Sequence, residues 1–584
     1  MLSKIFGLSI SFKIIGLIAV FNTFLFFLFL YTRSYPTYLM FIHFATIIIL
    51  WVIIFAKTDI FGTIKAHNKE IVLVFLLIVL SLWIRLYKID ELSPGLWGDE
   101  IAVGTYAVSF IKQNQLPPFV LDHPYSMPVT YAIGTSVELL GHTVLALRLP
   151  IAVMGALTVG IFYILLRLYL PVPISILGAL LMAFQYTQIV LSRLAYEPIP
   201  SLFFQVLTAI FLALYHKTKN LYYLLAVGLS LVGGLYTYLN FRPFAIAIMI
   251  ITIYLIRKDN PKKYLSRVLL FFGIIFVAGT ALVSFQFLYP QQLWSRASDI
   301  SIFAQHYSPT EFVKEFWGNI YRTGTFPITG DPNPEHNPAG IPPFGPITIV
   351  LAAIGFIYLY VRKRGLFWVT FLLMFPPFVS DIFSIERISE FHYYGLGHPH
   401  ALRISGWIAV ILFAAAFGLF AIYVKGKKTH VKEITIALSA IVLISCFLNW
   451  NWYFNQLKVN PQNYYWNYYF HNAAQQTLIN YLNQTRGAKV MLSQSLWDSD
   501  ILGFQFFDKP GLNLATFQPV SLENCISAIS KSDITAIDVT NQTTPVLQQL
   551  VATTDARLSN YVIHAIADPA YNVDHIILIT KLGY

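Results

Sequence analysis

Charge is what this chain lacks. Asp, Glu, Lys and Arg make up 11% of its 584 residues, against about 25% in a soluble domain. With 57% apolar residues, an ordinary water-soluble protein is excluded. Cysteine is scarce too. Cys446 and Cys525 are the only two, too few for a disulfide framework, and two unpaired thiols are expected. The sequence has no GxxxxGK[ST] loop and no strand–GxGxxG–helix unit, the glycine-rich devices that cradle nucleotide phosphates. The energy for any reaction must then come from the substrate itself. No signal-peptide cleavage site follows the first apolar run, so that run is expected to persist as a span.

Apolar runs are abundant instead. A membrane-crossing helix needs about 17–25 residues. Such runs fall near 13–31, 37–56, 70–87, 145–166, 172–191, 199–215, 221–239, 243–256, 268–288, 346–361, 366–380, 404–424 and 433–450, about thirteen spans in all. With the N-terminus in the cytoplasm, the loops 57-KTDIFGTIKAHNKE-70, 216-HKTKN-220, 257-RKDNPKKYLSR-267, 362-RKRG-365 and 425-KGKKTHVK-432 share one side. They are short and basic, as cytoplasmic loops should be. The net charge of +11 therefore reads as membrane orientation and not as nucleic-acid binding. The odd span count puts the tail outside the cell.

The outer side carries the long segments 88–144, 289–345, 381–403 and 451–584. The tail reads as a small α/β domain. In it, 488-AKVMLSQ-494, 532-SDITAIDVT-540 and 575-HIILIT-580 are strand-like, while 471-HNAAQQTLINYLNQ-484 and 544-TPVLQQLVATTDARL-558 are helical. The expected division is an N-terminal transmembrane hairpin over 1–69, a transmembrane catalytic domain over 70–450 and an extracytoplasmic domain over 451–584.

One outer stretch stands out: 95-GLWGDE-100 places Asp99 beside Glu100 next to an apolar run. A solvated loop pair is the bland reading. Against it, 94-PGLWG-98 is turn-forming and aromatic, and 101-IAVGTYAVSFIKQ-113 has the pattern of an amphipathic helix. A helix N-terminus favours carboxylates, and one there can take a proton from a hydroxyl. Further on, 117-PPFVLDHPYSMP-128 holds Asp122 and His123, which taken alone is an ordinary loop pair. Arg148, Arg193 and Arg242 sit at the outer mouths of spans, against the positive-inside bias. Such arginines suit an anionic lipid head group, or they snorkel to bulk lipid phosphates.

The order of these segments resembles the GT-C superfamily of polyprenyl-phosphate-sugar glycosyltransferases. The likeness is strongest to glycosyltransferase family 39, the protein O-mannosyltransferase-like group, and to the aminoarabinose transferases. Beyond the Asp-Glu pair and the D-H-P segment, 192-SRLAYEP-198, 236-YTYLNFRP-243, 329-TGDPNPEHNPAG-340 and 398-HPHALR-403 are similar to that group's motifs. The likeness covers roughly 70–425. The chain departs from the group in its two extra N-terminal spans and in reading 122-DHPYSMP-128 where mannosyltransferases read D-x-H-P-P.

The resemblance implies a mostly α, polytopic GT-C fold with outer loops and a small C-terminal α/β domain, in a multi-pass cell-membrane protein. It implies transfer of a sugar from a polyprenyl-phosphate donor to a lipid, protein or polysaccharide acceptor, by a single inverting displacement. Asp99 becomes the general base and Glu100 a supporting residue. Phosphate contacts are drawn from Asp122, His123, Arg148, Arg193, Arg242, His398, His400 and Arg403. Asp99, Asp122 and His123 are donors of the kind that hold a divalent ion, but no essential metal or cofactor is expected. The rival readings are a lipid-linked sugar flippase, an oligosaccharyltransferase and a catalytically dead scaffold. The flippase fits less well because the ionisable residues gather at the outer face and not at the bilayer midplane. The tail has no WWD-type signature of an oligosaccharyltransferase.

Overall fold

A computed structural model describes residues 10–582 except 34, 59–67, 93–95, 97, 114–126, 260, 292–300, 305–306, 331–341, 385–400, 427–430, 457–476, 483, 486, 500–512, 540–542 and 568–573. The chain divides into two compact units.

The first unit, Met1–Tyr87, Phe110–Ala132 and Leu149–Tyr453, is helical. In chain order its helices begin with α1 (Ile10–Thr32), α2 (Thr37–Lys57) and α3 (Asn68–Leu86). Helices α4 (Gly98–Lys112), α5 (Met127–Leu140) and α6 (Val144–Arg167) straddle the division between units. Then come α7 (Val172–Ala183), α8 (Tyr186–Ser192), α9 (Pro198–Thr218), α10 (Leu221–Leu235), α11 (Phe241–Asp259), α12 (Tyr264–Ala278) and α13 (Thr280–Leu288). The unit continues through α14 (Pro309–Thr329), α15 (Pro346–Arg362), α16 (Arg364–Leu372), α17 (Phe375–Ile382), α18 (Trp407–Gly426) and α19 (Val431–Asn451).

Among the described residues seven helices are long and apolar enough to cross a membrane, or up to nine if each bent pair is one span. The remainder of the thirteen expected spans has physical explanations. Helices α10 and α15 are apolar but only 15 and 17 residues long. Helices α3 and α11 carry charge at their ends, Lys69, Glu70 and Arg85 in one and Arg242, Arg257, Lys258 and Asp259 in the other. Two expected spans are broken: α7 and α8 meet at 56°, and the helix ending at Ala278 meets α13 at 65°. A broken helix frees backbone groups that lipid cannot satisfy. At the first break Gln185 satisfies one of them, its Oε1 accepting from the Gln188 N–H at 2.6 Å, while its Nε2 donates to the Pro343 carbonyl, outside both helices, at 2.5 Å.

The extra N-terminal hairpin is part of this unit's core. Leu25, Phe29, Met40 and Leu50 are buried together with residues of α9 to α13. His43, fully buried, lies 2.8 Å from Asn22 Oδ1 and 3.1 Å from the Ala278 carbonyl at the second break. In the first turn of α3, Glu70 makes a bidentate pair with Arg167, both contacts 2.9 Å.

The second unit comprises Lys88–Ser109, Ile133–Arg148 and Phe454–Tyr584. Its tail forms a five-stranded sheet in the order β2-β1-β3-β5-β4, with β1 Lys489–Ser493, β2 Asn513–Phe517, β3 Ile534–Asp538, β4 Tyr561–Ala567 and β5 Asp574–Lys581. Strand β1 pairs in parallel with β2 and β3, and β5 runs antiparallel to both its neighbours. Helices α20 (Gln494–Ser499), α21 (Leu522–Ser530) and α22 (Thr544–Ala552) accompany the sheet. Cys525, Ile529, Ile537, Leu550 and Ile579 form one core. The three expected strands and the helix from 544 are present. Of the expected helix over 471–484, residues 477–482 and 484 are described and helical.

Candidate active site

Helix α4 opens on Gly98, and its first turn holds Asp99 and Glu100. Two carboxylates in a first helical turn meet the exposed N–H groups and the positive end of the dipole. The two side chains part company at once. Asp99 is half-buried, whereas Glu100 has no solvent exposure. A buried carboxylate needs a partner, and Arg148 in the first turns of α6 is that partner. Arg148 Nε donates to Glu100 Oε1 at 3.0 Å and Nη2 to Oε2 at 3.0 Å, while Nη1 donates to the Ile89 carbonyl at 3.1 Å. Both side chains are 0% exposed. The forked geometry is the strong, directional form of an ion pair. It ties three sequence-distant points of the second unit together: residue 89, the start of α4 and the start of α6.

Arg193 and Arg403 lie in the first unit and are buried, and Arg242, also there, is partly so. Arg193 follows α8 and donates from Nη1 to the carbonyls of Arg85 and Tyr87 at 2.6 and 2.7 Å. It thereby caps the C-terminal end of α3, a usual place for a basic side chain. Its guanidinium carbon lies 5.3 Å from the Tyr453 ring centroid. Arg242 is the second residue of α11, and Arg403 sits in the turn before α18.

The sequence motifs of this unit converge. Tyr196 packs edge-on against Tyr238 at 5.8 Å, joining 192–198 to 236–243. Asn240 joins 236–243 to 398–403: its Nδ2 donates to the carbonyls of Leu402 and Arg403 at 3.1 and 3.2 Å and lies 2.9 Å from Ser405 Oγ. Ser201 in α9 donates to Asn240 Oδ1 at 2.8 Å. Asp122, His123, His398 and His400 lie outside the described residues, as does most of 329–340. Among the described residues no group of three His, Cys, Asp or Glu gathers as a metal site.

Sequence reasoning missed two residues here. Asn240 lies within 236-YTYLNFRP-243, where nothing local marks it as the link to 402–405. Arg85, fully buried at the end of α3, donates from Nη1 to the Ser81 carbonyl and hydroxyl at 2.7 and 2.5 Å. Its signal was present, since an arginine inside an apolar run is a functional candidate by default.

Comparison with protein families returns one match that covers much of this geometry. Residues 122–285 match the family model described as dolichyl-phosphate-mannose-protein mannosyltransferase. This is the mannosyltransferase-like group of the GT-C superfamily that the motifs resemble. The matched segment contains Arg148, Arg193, Asn240 and Arg242, and it begins after Asp99 and Glu100. The Glu100–Arg148 pair therefore ties the acidic stretch to the matched segment. The chain is also similar to the solved apo structure of ArnT from Cupriavidus metallidurans, at 10% identity and a TM-score of 0.48 over 88% of this chain and 98% of that one. The same protein is known bound to undecaprenyl phosphate. A second likeness is to the Archaeoglobus fulgidus oligosaccharyltransferase in the apo form, at 12% identity and 0.45 over 85% and 69%. A third is to the Pmt1-Pmt2 protein O-mannosyltransferase complex of S. cerevisiae bound to the sugar donor, at 19% identity and 0.31 over 40% and 36%. The comparison with curated proteins finds no match.

Proposed function

We propose that this chain is an integral-membrane glycosyltransferase that moves a sugar from a polyprenyl-phosphate donor to an acceptor hydroxyl on the outer face of the membrane. The family match over 122–285 supports the reaction class. The observation that carries the residue assignment is the division of labour between Asp99 and Glu100. Glu100 has both oxygens committed to Arg148 in a buried pair, so it positions the start of α4. The role of base is assigned to Asp99, next in the same turn and half-buried, a reading that the commitment of Glu100 to Arg148 supports.

In the proposed step the acceptor oxygen forms a bond to the anomeric carbon. The bond from that carbon to the phosphate oxygen breaks, and its electron pair leaves with the polyprenyl phosphate. The acceptor proton passes to Asp99. One displacement inverts the anomeric centre and needs no second carboxylate as nucleophile. Charge developing on the phosphate calls for cationic donors, drawn from Arg193, Arg242, Arg403, His398 and His400. Arg148 contributes through Glu100, and Asp122 and His123 complete the donor-side set. No essential metal is invoked. The N-terminus is cytoplasmic and the tail extracytoplasmic, and 1–69, 70–450 and 451–584 serve as hairpin, catalytic part and outer domain.

The test is Asp99→Asn in the full chain. Transfer should fall by about 10²–10⁴-fold, while binding of the polyprenyl-phosphate donor persists. Intact transfer in this variant would remove Asp99 from the role of base.

A further inference from the structure

Helix α14, Pro309–Thr329, has a face that neither the fold nor the proposed reaction uses. It starts with a capping box in which Ser308 and Glu311 satisfy each other's ends, so the element is well defined. Its buried residues are Asn319, Thr323 and Phe326, spaced four and three apart and hence on one stripe. That stripe is latched to the end of α17. Thr323 Oγ1 donates to Asp381 Oδ2 at 2.6 Å, and Asn319 Nδ2 donates to the Ile382 carbonyl at 3.1 Å. Phe316 stacks on Phe383 at 5.6 Å.

The opposite stripe is mostly apolar and exposed, with Val313 at 53%, Trp317 at 62%, Tyr321 at 71% and Ile328 at 67% and the exposed Lys314 at its edge, where a long side chain can snorkel to water. Glu311, Glu315 and Arg322 flank the two stripes, with Arg322 reaching Glu315 at 3.1 Å and Asn319 at 2.8 Å. With Lys314 the helix carries four charges, too many for a segment threaded through hydrocarbon. A helix with an apolar stripe and polar flanks belongs in the membrane interface, where Trp and Tyr are enriched.

The position of α14 fits that location. The candidate span Arg364–Ile382 begins at the basic loop 362-RKRG-365 and so ends at the outer surface. The latch to Asp381 and Ile382 holds α14 at that end. The span itself exposes Trp368, Phe371, Leu372 and Phe375, apolar surface suited to lipid, and the latch holds α14 at the end of that same span. We infer that α14 is an interfacial helix whose Val313–Trp317–Tyr321–Ile328 face is embedded in the outer leaflet.

The experiment uses the full chain in palmitoyl-oleoyl phosphatidylcholine vesicles. Nitroxide labels are placed through Trp317→Cys, Tyr321→Cys and Ile328→Cys, with Arg322→Cys and Thr329→Cys as references on the polar flank. Native Cys446 and Cys525 are 5% and 0% exposed and stay out of reach of the label. The ratio of oxygen to nickel-chelate accessibility should be several-fold higher at 317, 321 and 328 than at 322 and 329. Ready access of the nickel chelate to 317, 321 and 328 would mean a water-facing stripe and overturn the inference. Low access of both probes there would mean that protein, such as a second copy of the chain, covers the stripe, and would overturn it equally.

Discussion

Glu100 and Arg148 face each other across 48 positions of sequence in a bidentate pair with no solvent exposure on either side. Such a pair is costly to assemble and more costly to break. Removing one partner strands the other charge, at about 3–5 kcal/mol, while replacing both by well-packed apolar groups is often close to neutral. Glu100→Gln and Arg148→Met should therefore each lower the thermal midpoint sharply. The double variant should be less destabilised than the sum of the two. Arg148→Lys should not rescue, because an ammonium cannot reproduce the fork. A double-mutant cycle from thermal unfolding in detergent measures the coupling, and additive single effects would refute it.

Asn240 is the hub of the first unit's motifs, and its amide is buried. Asn240→Ala removes a donor to Leu402 and Arg403 and the acceptor for Ser201. Leaving such groups unpaired costs about 1–3 kcal/mol. Ser201→Ala, which strands Asn240 Oδ1 and the Gln205 Nε2 that donates to Ser201 Oγ at 3.2 Å but leaves the Leu402 and Arg403 carbonyls paired, should cost less. The order of the two midpoints is the check, and equal stability of Asn240→Ala and the parent would show that the hub is idle.

How far the sequence spoke depends on the range of the interaction. The acidic stretch was legible because its cause is local: a turn-forming Gly98, then two acids in a first helical turn. The partner of Glu100 was not legible. Arg148, Arg193 and Arg242 look alike in sequence, each an arginine at the mouth of an apolar run. Only the tertiary arrangement gives Arg148 to a carboxylate and Arg193 to the carbonyls of α3. The second bend was hidden for a similar reason, since only Gly279 and Thr280 interrupt the apolar run there, whereas the first has a local mark in the polar 185-QYTQ-188. At Gly279 a Cβ would lie 2.8 Å from the Ile275 carbonyl, a crowding invisible in a composition window. In the tail, β2 and β4 escaped notice because they are edge strands, paired on one side and mixed in pattern, whereas fully buried β3 reads as a strand on its own.

Two glycines set how closely α15 and α18 approach. A Cβ on Gly355 would run into the Ala414 carbonyl, and one on Gly418 into the Leu351 carbonyl. These are backbone atoms, so neither clash is relieved by turning a side chain. Small residues at a helix crossing let backbones meet in this way in membranes. Gly355→Ala and Gly418→Ala should each cost at least about 1–3 kcal/mol through overpacking. Gly273→Ala in α12, where nothing lies within 4 Å of the added Cβ, should be neutral or stabilising, by up to about 1 kcal/mol from helix propensity. Thermal midpoints of the three variants separate crowding from propensity. A drop at Gly273→Ala as large as at Gly418→Ala would rule out the crowding account.

The tail carries a pH-dependent clasp. Arg557 donates to both oxygens of Glu523 in α21, at 2.8 and 2.9 Å, and to Asp555 at 2.8 Å. These hydrogen bonds hold both carboxyls below their ordinary range. The sign follows from linkage. A carboxyl whose pKa is depressed by folding contributes its full stability above the unfolded value, about 4, and loses it as the pH falls through the folded value. Stability of the tail should thus decline below about pH 4 in the parent. In Arg557→Met it should already be lower at neutral pH and fall less in acid. Cys525, buried in the tail core, reports opening through its reaction with dithiodipyridine, which proceeds in acid. With Cys446→Ala as background, the parent's reaction should accelerate more steeply on acidification than that of the variant. Parallel pH profiles would show that the clasp contributes nothing to acid sensitivity.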